Sequence, residues 1–194
     1  MMAAHKVTVP TSHYIDATMQ WVDDVVITHN FCPFARFVRT PNKIRCVVVD
    51  GDTGDAVTRL YDECVSLDNS NDIATTLVIL SHPHFTQFDN YLDALAIAER
   101  MMADWGYAGT YQLASFHPDY CFDGEPQNAA SNYTNRSPYP MFHLIRENDI
   151  TRYMPNENDA EVIYTNNMKK AEALGCPYFN ATLAQIKEQH KQDS

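Results

Sequence analysis

The chain has 194 residues, 45% of them hydrophobic, with 14 Lys and Arg against 25 Asp and Glu for a net charge of −11. That length can bury a core without disulfides or metals as staples, and that apolar content excludes disorder. So acidic a surface repels phosphate backbones and anionic lipid, so neither nucleic acid nor membrane is expected as a partner.

Residues 1–10 read as a loose N-terminal tail, and 11–194 as a single compact domain. Thr11 or Ser12 can cap a helix running to about His29, with Ile15, Met19, Val22 and Val26 on one stripe and Trp21 and Val25 beside it. Phe31-Cys32-Pro33-Phe34 follows, and Pro33 suits the first turn of a short second helix. Ile44 to Val49 is a predicted strand, closed by Asp50, Gly51 and Asp52. A helix over 54–67 follows, then the β-branched run Thr75 to Leu80, apolar enough for a strand covered on both faces. Ser81-His82-Pro83-His84 ends that run. The next helix spans about Thr86 to Trp105, Gly106 and Gly109 close its exit, and Thr110 to Phe116 is a third strand. Met141 to Arg146 reads as a fourth, with Pro138 and Pro140 expected to keep its start out of a central ladder. Helices near 148–154, 162–174 and 181–190 complete the chain, with Gly175 as a C-cap. Strand–helix alternation predicts an α/β fold with a mostly parallel sheet of three to four strands and flanking helices.

The five cysteines, Cys32, Cys46, Cys64, Cys121 and Cys176, are odd in number, irregular in spacing and free of any C-x-x-C pair. Cys46 and Cys64 sit in apolar patterns and read as small buried hydrophobes. With no visible leader and no apolar run of spanning length, a soluble protein of a reducing cytoplasm is expected.

Ligands in parallel α/β sheets bind beyond the carboxyl ends of the strands. Those ends carry Asp50 and Asp52, then Ser81, His82 and His84, then Ser115, His117 and Asp119. If the three strands are parallel, these groups face one crevice. In an extended His117-Pro118-Asp119 the first and third side chains share a face, so imidazole and carboxylate can share a proton or a divalent metal ion, with His82 and His84 as further ligands. The plainer alternative is that Asp119 only orients His117. From Asn132 to Pro140 the segment is dense in hydrogen-bonding groups. Either they bond their own backbone, or Arg136 grips an anion while Asn132, Asn135 and Ser137 orient it and Tyr139 walls its apolar part. His143 is either a catalytic base or a satisfied core residue. Arg146 needs a carboxylate or an anionic ligand. Cys32, at the start of a helix, is either a nucleophile whose base is His117 or His143, or a buried thiol.

Four segments are familiar together: Trp21 through Cys32-Pro33-Phe34-Ala35, Gly109 through Tyr120, Asn132 through Pro140, and His143 through Glu147. They resemble the uncharacterised bacterial family known as domain of unknown function 1415, from about Tyr14 to Gly175. The chain departs from that pattern at Phe34, where Trp is usual, and at Cys121, where Gln is usual. The resemblance implies a small soluble bacterial protein and transfers no activity.

Three readings follow from the residues. The first is a small-molecule enzyme, a hydrolase or lyase, with a His/Asp/Arg polar crevice acting on an anionic substrate, with or without a divalent metal. The second is a non-catalytic module that binds a small anion or a protein partner. The third is an enzyme with Cys32 as nucleophile. A deep pocket lined by His117, Asp119 and Arg136 favours an enzyme; a flat surface with Arg136 and Arg146 tied internally favours a module. Oligomeric state is not legible.

Overall fold

The structure is a computed structural model, and it describes residues 11–153 and 159–191. The expected N-terminal tail lies outside the described residues, as does residue 154 at the end of one predicted helix.

Four runs rich in branched and aromatic residues form the sheet: β1 (Ile44–Val49), β2 (Thr75–Leu80), β3 (Tyr111–Phe116) and β4 (Met141–Arg146). Their order is β1-β2-β4-β3. β1 pairs parallel with β2, placing Ile44 beside Thr75 and Val49 beside Leu80. β4 runs antiparallel to both neighbours, with Met141 opposite Ile79 on one side and Phe116 on the other. The sheet is therefore mixed rather than mostly parallel. Because β4 reverses between them, β1, β2 and β3 still point the same way, and their carboxyl ends share one edge.

The prolines do not exclude β4 from the centre. The strand begins just after them, and Pro140 contributes only its carbonyl, which accepts from Leu80 N–H at 2.8 Å. A missing N–H costs nothing at a position that needs only an acceptor.

Helices α3 (Thr53–Asp68) and α4 (Phe88–Asp104) cover one face. Val47, Val49, Val78, Leu80, Phe142 and Leu144 meet Leu60, Cys64, Tyr91 and Ala98 there. The other face turns Leu77, Ile79 and Met141 toward Ala17 and Trp21 of α1 (Thr11–Trp21) and Phe179 and Ile186 of α7 (Cys176–Gln189). Between α4 and β4, Tyr91 is fully buried: its hydroxyl donates to Met141 O and accepts from Phe116 N–H, tying helix to sheet at the strand-end edge.

The first predicted helix changes its winding part-way. After Trp21 the chain continues as a π-helical segment, Val22–Ile27, until Asn30 takes a left-handed φ of 55°. Phe31 N–H then returns to Val26 O at 2.9 Å, and Pro33 opens α2 (Pro33–Arg39) as expected. Helices α5 (Glu147–Tyr153) and α6 (Asp159–Leu174) lead to Gly175, whose φ of 78° closes α6 and lets α7 begin at once, five residues earlier than the sequence suggested.

Candidate functional site

The shared edge of β1, β2 and β3 is the place to look for chemistry, but several of its polar residues are spent on structure. Asp52 caps α3: its Oδ1 accepts from Gly54 N–H at 2.8 Å and Asp55 N–H at 3.2 Å, while Asp55 bonds back to Asp52 N–H. His82 Nδ1 accepts from His84 N–H and so starts a single 3₁₀ turn at Pro83–Thr86. His84 is exposed beside Asn90.

His117 is fully buried among Phe88 and Tyr91, and both ring nitrogens are occupied. Nδ1 accepts from Asp119 N–H at 2.9 Å, so Nε2 carries the proton and donates to Phe85 O at 2.9 Å. Burial lowers its pKa, the Phe85 bond opposing, and the ring is neutral. A neutral imidazole with no free lone pair ligates nothing. His117 is a clasp between the end of β3 and the turn after β2. Among the described residues no three His, Cys, Asp or Glu side chains converge as metal ligands. The four expected metal ligands, His117, Asp119, His82 and His84, thus form no metal centre.

The polar segment that follows also turns inward. Buried Asn132 accepts from Phe122 N–H and donates to Pro126 O. Asn135 donates to Ser115 O, and Ser137 to Tyr139 O. Arg136 lies over the Tyr133 ring at 4.6 Å and donates to Tyr120 O and Gln127 O. Of the two alternatives for these residues, the backbone-bonding one holds. Arg146 likewise is spent on backbone: its two Nη atoms donate to Ile73, Ala74, Leu67 and Ser70 carbonyls at 2.6–2.9 Å, and it makes no ion pair among the described residues.

What remains on the edge is a crevice of about 340 Å³. Ser81 comes from the end of β2, Pro118 and Asp119 from the end of β3, Tyr139 from the approach to β4, Tyr14 from α1 and Lys187 from α7. Tyr139 Oη and His13 Nε2 share a 2.7 Å hydrogen bond, while His13 Nδ1 is buried without a partner. Desolvation lowers the His13 pKa, His190 adds to this and Asp16 opposes. Burial pushes the Tyr139 hydroxyl up to about 12, with Tyr14 adding. Lys187 Nζ stands 5.8 Å from the Tyr139 ring centre and makes no hydrogen bond or ion pair among the described residues. Desolvation lowers its pKa and the nearby charge of Asp119 partly restores it.

The crevice therefore brings together Asp119 and Tyr139 of the predicted set. It leaves out His117, Arg136 and Arg146, and its cation is Lys187. Sequence reasoning missed Lys187 because a lysine near the end of a predicted helix reads as a solvated charge. Only the packing of α7 against α1 carries it to the strand ends.

Cys32 and His143 are brought together elsewhere, on the lining of a cavity beneath the π-helical segment. Cys32 is the N-cap residue of α2, as its place before Pro33 suggested. Burial raises its thiol pKa more than the Ala35 and Phe34 N–H groups lower it, and the sulfur stays protonated. His143 Nε2 pairs with Thr75 Oγ1 at 2.7 Å, and no hydrogen bond joins His143 to Cys32. The pair lacks the contact a thiol nucleophile needs.

A family model described as "Protein of unknown function (DUF1415)" matches residues 13–181. No curated protein and no solved structure matches the chain. Among the described residues no helix is long and apolar enough to cross a membrane.

Proposed function

The chain belongs to the family of unknown function DUF1415, and we propose that it is a small-molecule enzyme of hydrolase or lyase type whose strand-end crevice takes an anionic substrate. One observation carries this reading: Lys187 holds an ammonium group in a partly desolvated crevice wall and makes no hydrogen bond or ion pair among the described residues. A cation placed so is unfavourable until an anion arrives, and an incoming carboxylate or phosphate supplies what the fold withholds. Asp119, on the same crevice wall, is the group positioned to accept a proton. The Tyr139–His13 pair is a second proton carrier, and Tyr14 and Tyr139 flank an apolar portion of the substrate. The ends of β2 and β3 line this crevice, at the kind of position where α/β sheets bind ligands, which supports the reading.

A non-catalytic anion-binding module would use the same anchor, because Arg136 and Arg146 are both tied to internal carbonyls. Turnover separates the two. Thermal denaturation of wild type with small carboxylates and phosphate monoesters should show stabilisation that Lys187→Met abolishes. Asp119→Asn should keep that stabilisation and lose turnover of the responding compound. An anion response that survives Lys187→Met would remove Lys187 as the anchor, and binding without turnover would leave the module.

A further inference from the structure

The apolar cavity beneath the π-helical segment is not absorbed by that function. Its volume is about 120 Å³, the scale of a cavity that holds one benzene ring. Trp21, Val22 and Val26 roof it, and Leu77, Ala114 and Phe116 of the sheet floor it. Cys32, Phe34 and Ile145 also line a second apolar space of about 190 Å³ bounded by Pro33, Ile150 and Ile163. Cys32 is thus on the lining of both apolar spaces.

His143 and Thr75 both line this cavity, and their hydrogen bonds fix the state of the imidazole. Thr75 has a single hydroxyl proton, and it goes to Leu144 O at 2.6 Å. The 2.7 Å contact between Thr75 Oγ1 and His143 Nε2 must then be made with the histidine's proton. That fixes the tautomer: Nε2 donates, and Nδ1 is left with a lone pair. Desolvation holds the His143 pKa at about 4, so no second proton fills it. Nδ1 has no hydrogen-bond partner among the described residues. An acceptor left without a donor in an apolar lining is unsatisfied. Water is a poor remedy, because a stable buried water needs two or more polar partners and this lining offers little beyond Nδ1 and a thiol.

We propose that this cavity is a binding site for a small neutral molecule with an apolar, ring-sized body and one O–H or N–H donor, which His143 Nδ1 accepts. The unpartnered acceptor selects the donor, and the walls select the body. The π-helical roof gives the space its height: Val22 and Val26 belong to the segment whose winding is wider than an α-helix. This site is separate from the Lys187 crevice, so either can fail without the other.

Phenol is the probe, with toluene and anisole as controls of the same shape that lack a donor. Wild-type protein titrated by calorimetry should bind phenol at least tenfold more tightly than either control. The ¹⁵N signal of His143 Nδ1 should move toward that of a hydrogen-bonded nitrogen as phenol is added. Iodoacetamide labelling of Cys32, read by peptide mass spectrometry, should slow at least fivefold under saturating phenol while Cys176 is unaffected. Lys187→Met should leave all three results unchanged. Equal binding of phenol and toluene would overturn the role of His143. Absence of binding would overturn the site, and tighter binding of a long-chain alcohol than of phenol would overturn its size class.

Discussion

At the scale of single residues, His117 and His143 are two imidazoles that the fold holds neutral, with opposite fates. His117 has given both nitrogens to backbone groups and is finished as a ligand. His143 has given one and keeps the other. Both have pKa values below the 6.5 of an unfolded histidine, with burial as the first cause. The native state therefore binds fewer protons than the unfolded chain. The stability these groups contribute is complete above pH 6.5 and is lost as pH falls below it. His143 stays neutral down to about pH 4, so between pH 7 and pH 5 it alone removes about 2 kcal/mol. Urea denaturation of wild type and His143→Phe at both values isolates this effect. The pH-dependent loss should shrink by about that amount in the variant, whatever its absolute stability. An unchanged loss would mean that His143 does not titrate as its burial requires. Cys32 is the other titratable group on that cavity, and a protonated thiol does not change charge in this range.

At the scale of elements, α3 shows how the sheet edge and its opposite end are fastened. Its N-terminus has the Asp52–Asp55 capping box, and the Leu67 carbonyl in its last turn and the Ser70 carbonyl just beyond it receive the Arg146 guanidinium from β4. The same fork reaches Ile73 and Ala74 just before β2, so one side chain ties three segments. Arg146→Lys should cost about 2 kcal/mol, since an ammonium cannot serve two pairs of carbonyls from one position. Asp52→Ala should cost about 1 kcal/mol, the usual effect of losing a cap. Chemical denaturation with an unchanged m-value checks both. A loss below about 0.5 kcal/mol for Arg146→Lys would show that solvent takes over the carbonyls. The elements themselves were legible: β1, β2 and β4 lie where branched and apolar runs placed them, and Pro33 began its helix. The π winding was not, because a shift from i+4 to i+5 bonding over six residues leaves no separate hydrophobic period. Nor was the fate of Arg136, Arg146, Asn132 and Asn135. Sequence shows how many donors a segment has, but not whether its own carbonyls come within reach.

At the scale of the whole molecule, the strand order decides what side chains alone could not. Local pattern identifies β4 but not its neighbours, and its place beside β2 rests on pairings more than sixty residues apart. That place makes β4 common to both cores: Phe142 and Leu144 enter one, Met141 the other. Each face of the sheet is packed by different helices, yet neither core keeps its floor if β4 leaves. The two cores should therefore unfold together. The chain has two tryptophans and places one on each side: Trp21 is buried in the α1–α7 core, and Trp105 packs at the margin of the α3–α4 core. In Trp105→Phe the fluorescence of Trp21 reports one layer, and in Trp21→Phe that of Trp105 reports the other. Each midpoint in urea should coincide with the far-ultraviolet circular dichroism midpoint of the same variant, which removes the effect of the substitution itself. Coincidence in both is the mark of a single cooperative unit. If Trp105 in its variant reported a transition well before the loss of secondary structure, the α3–α4 layer would be a separate folding unit, and β4 would join the cores in space without joining them in energy.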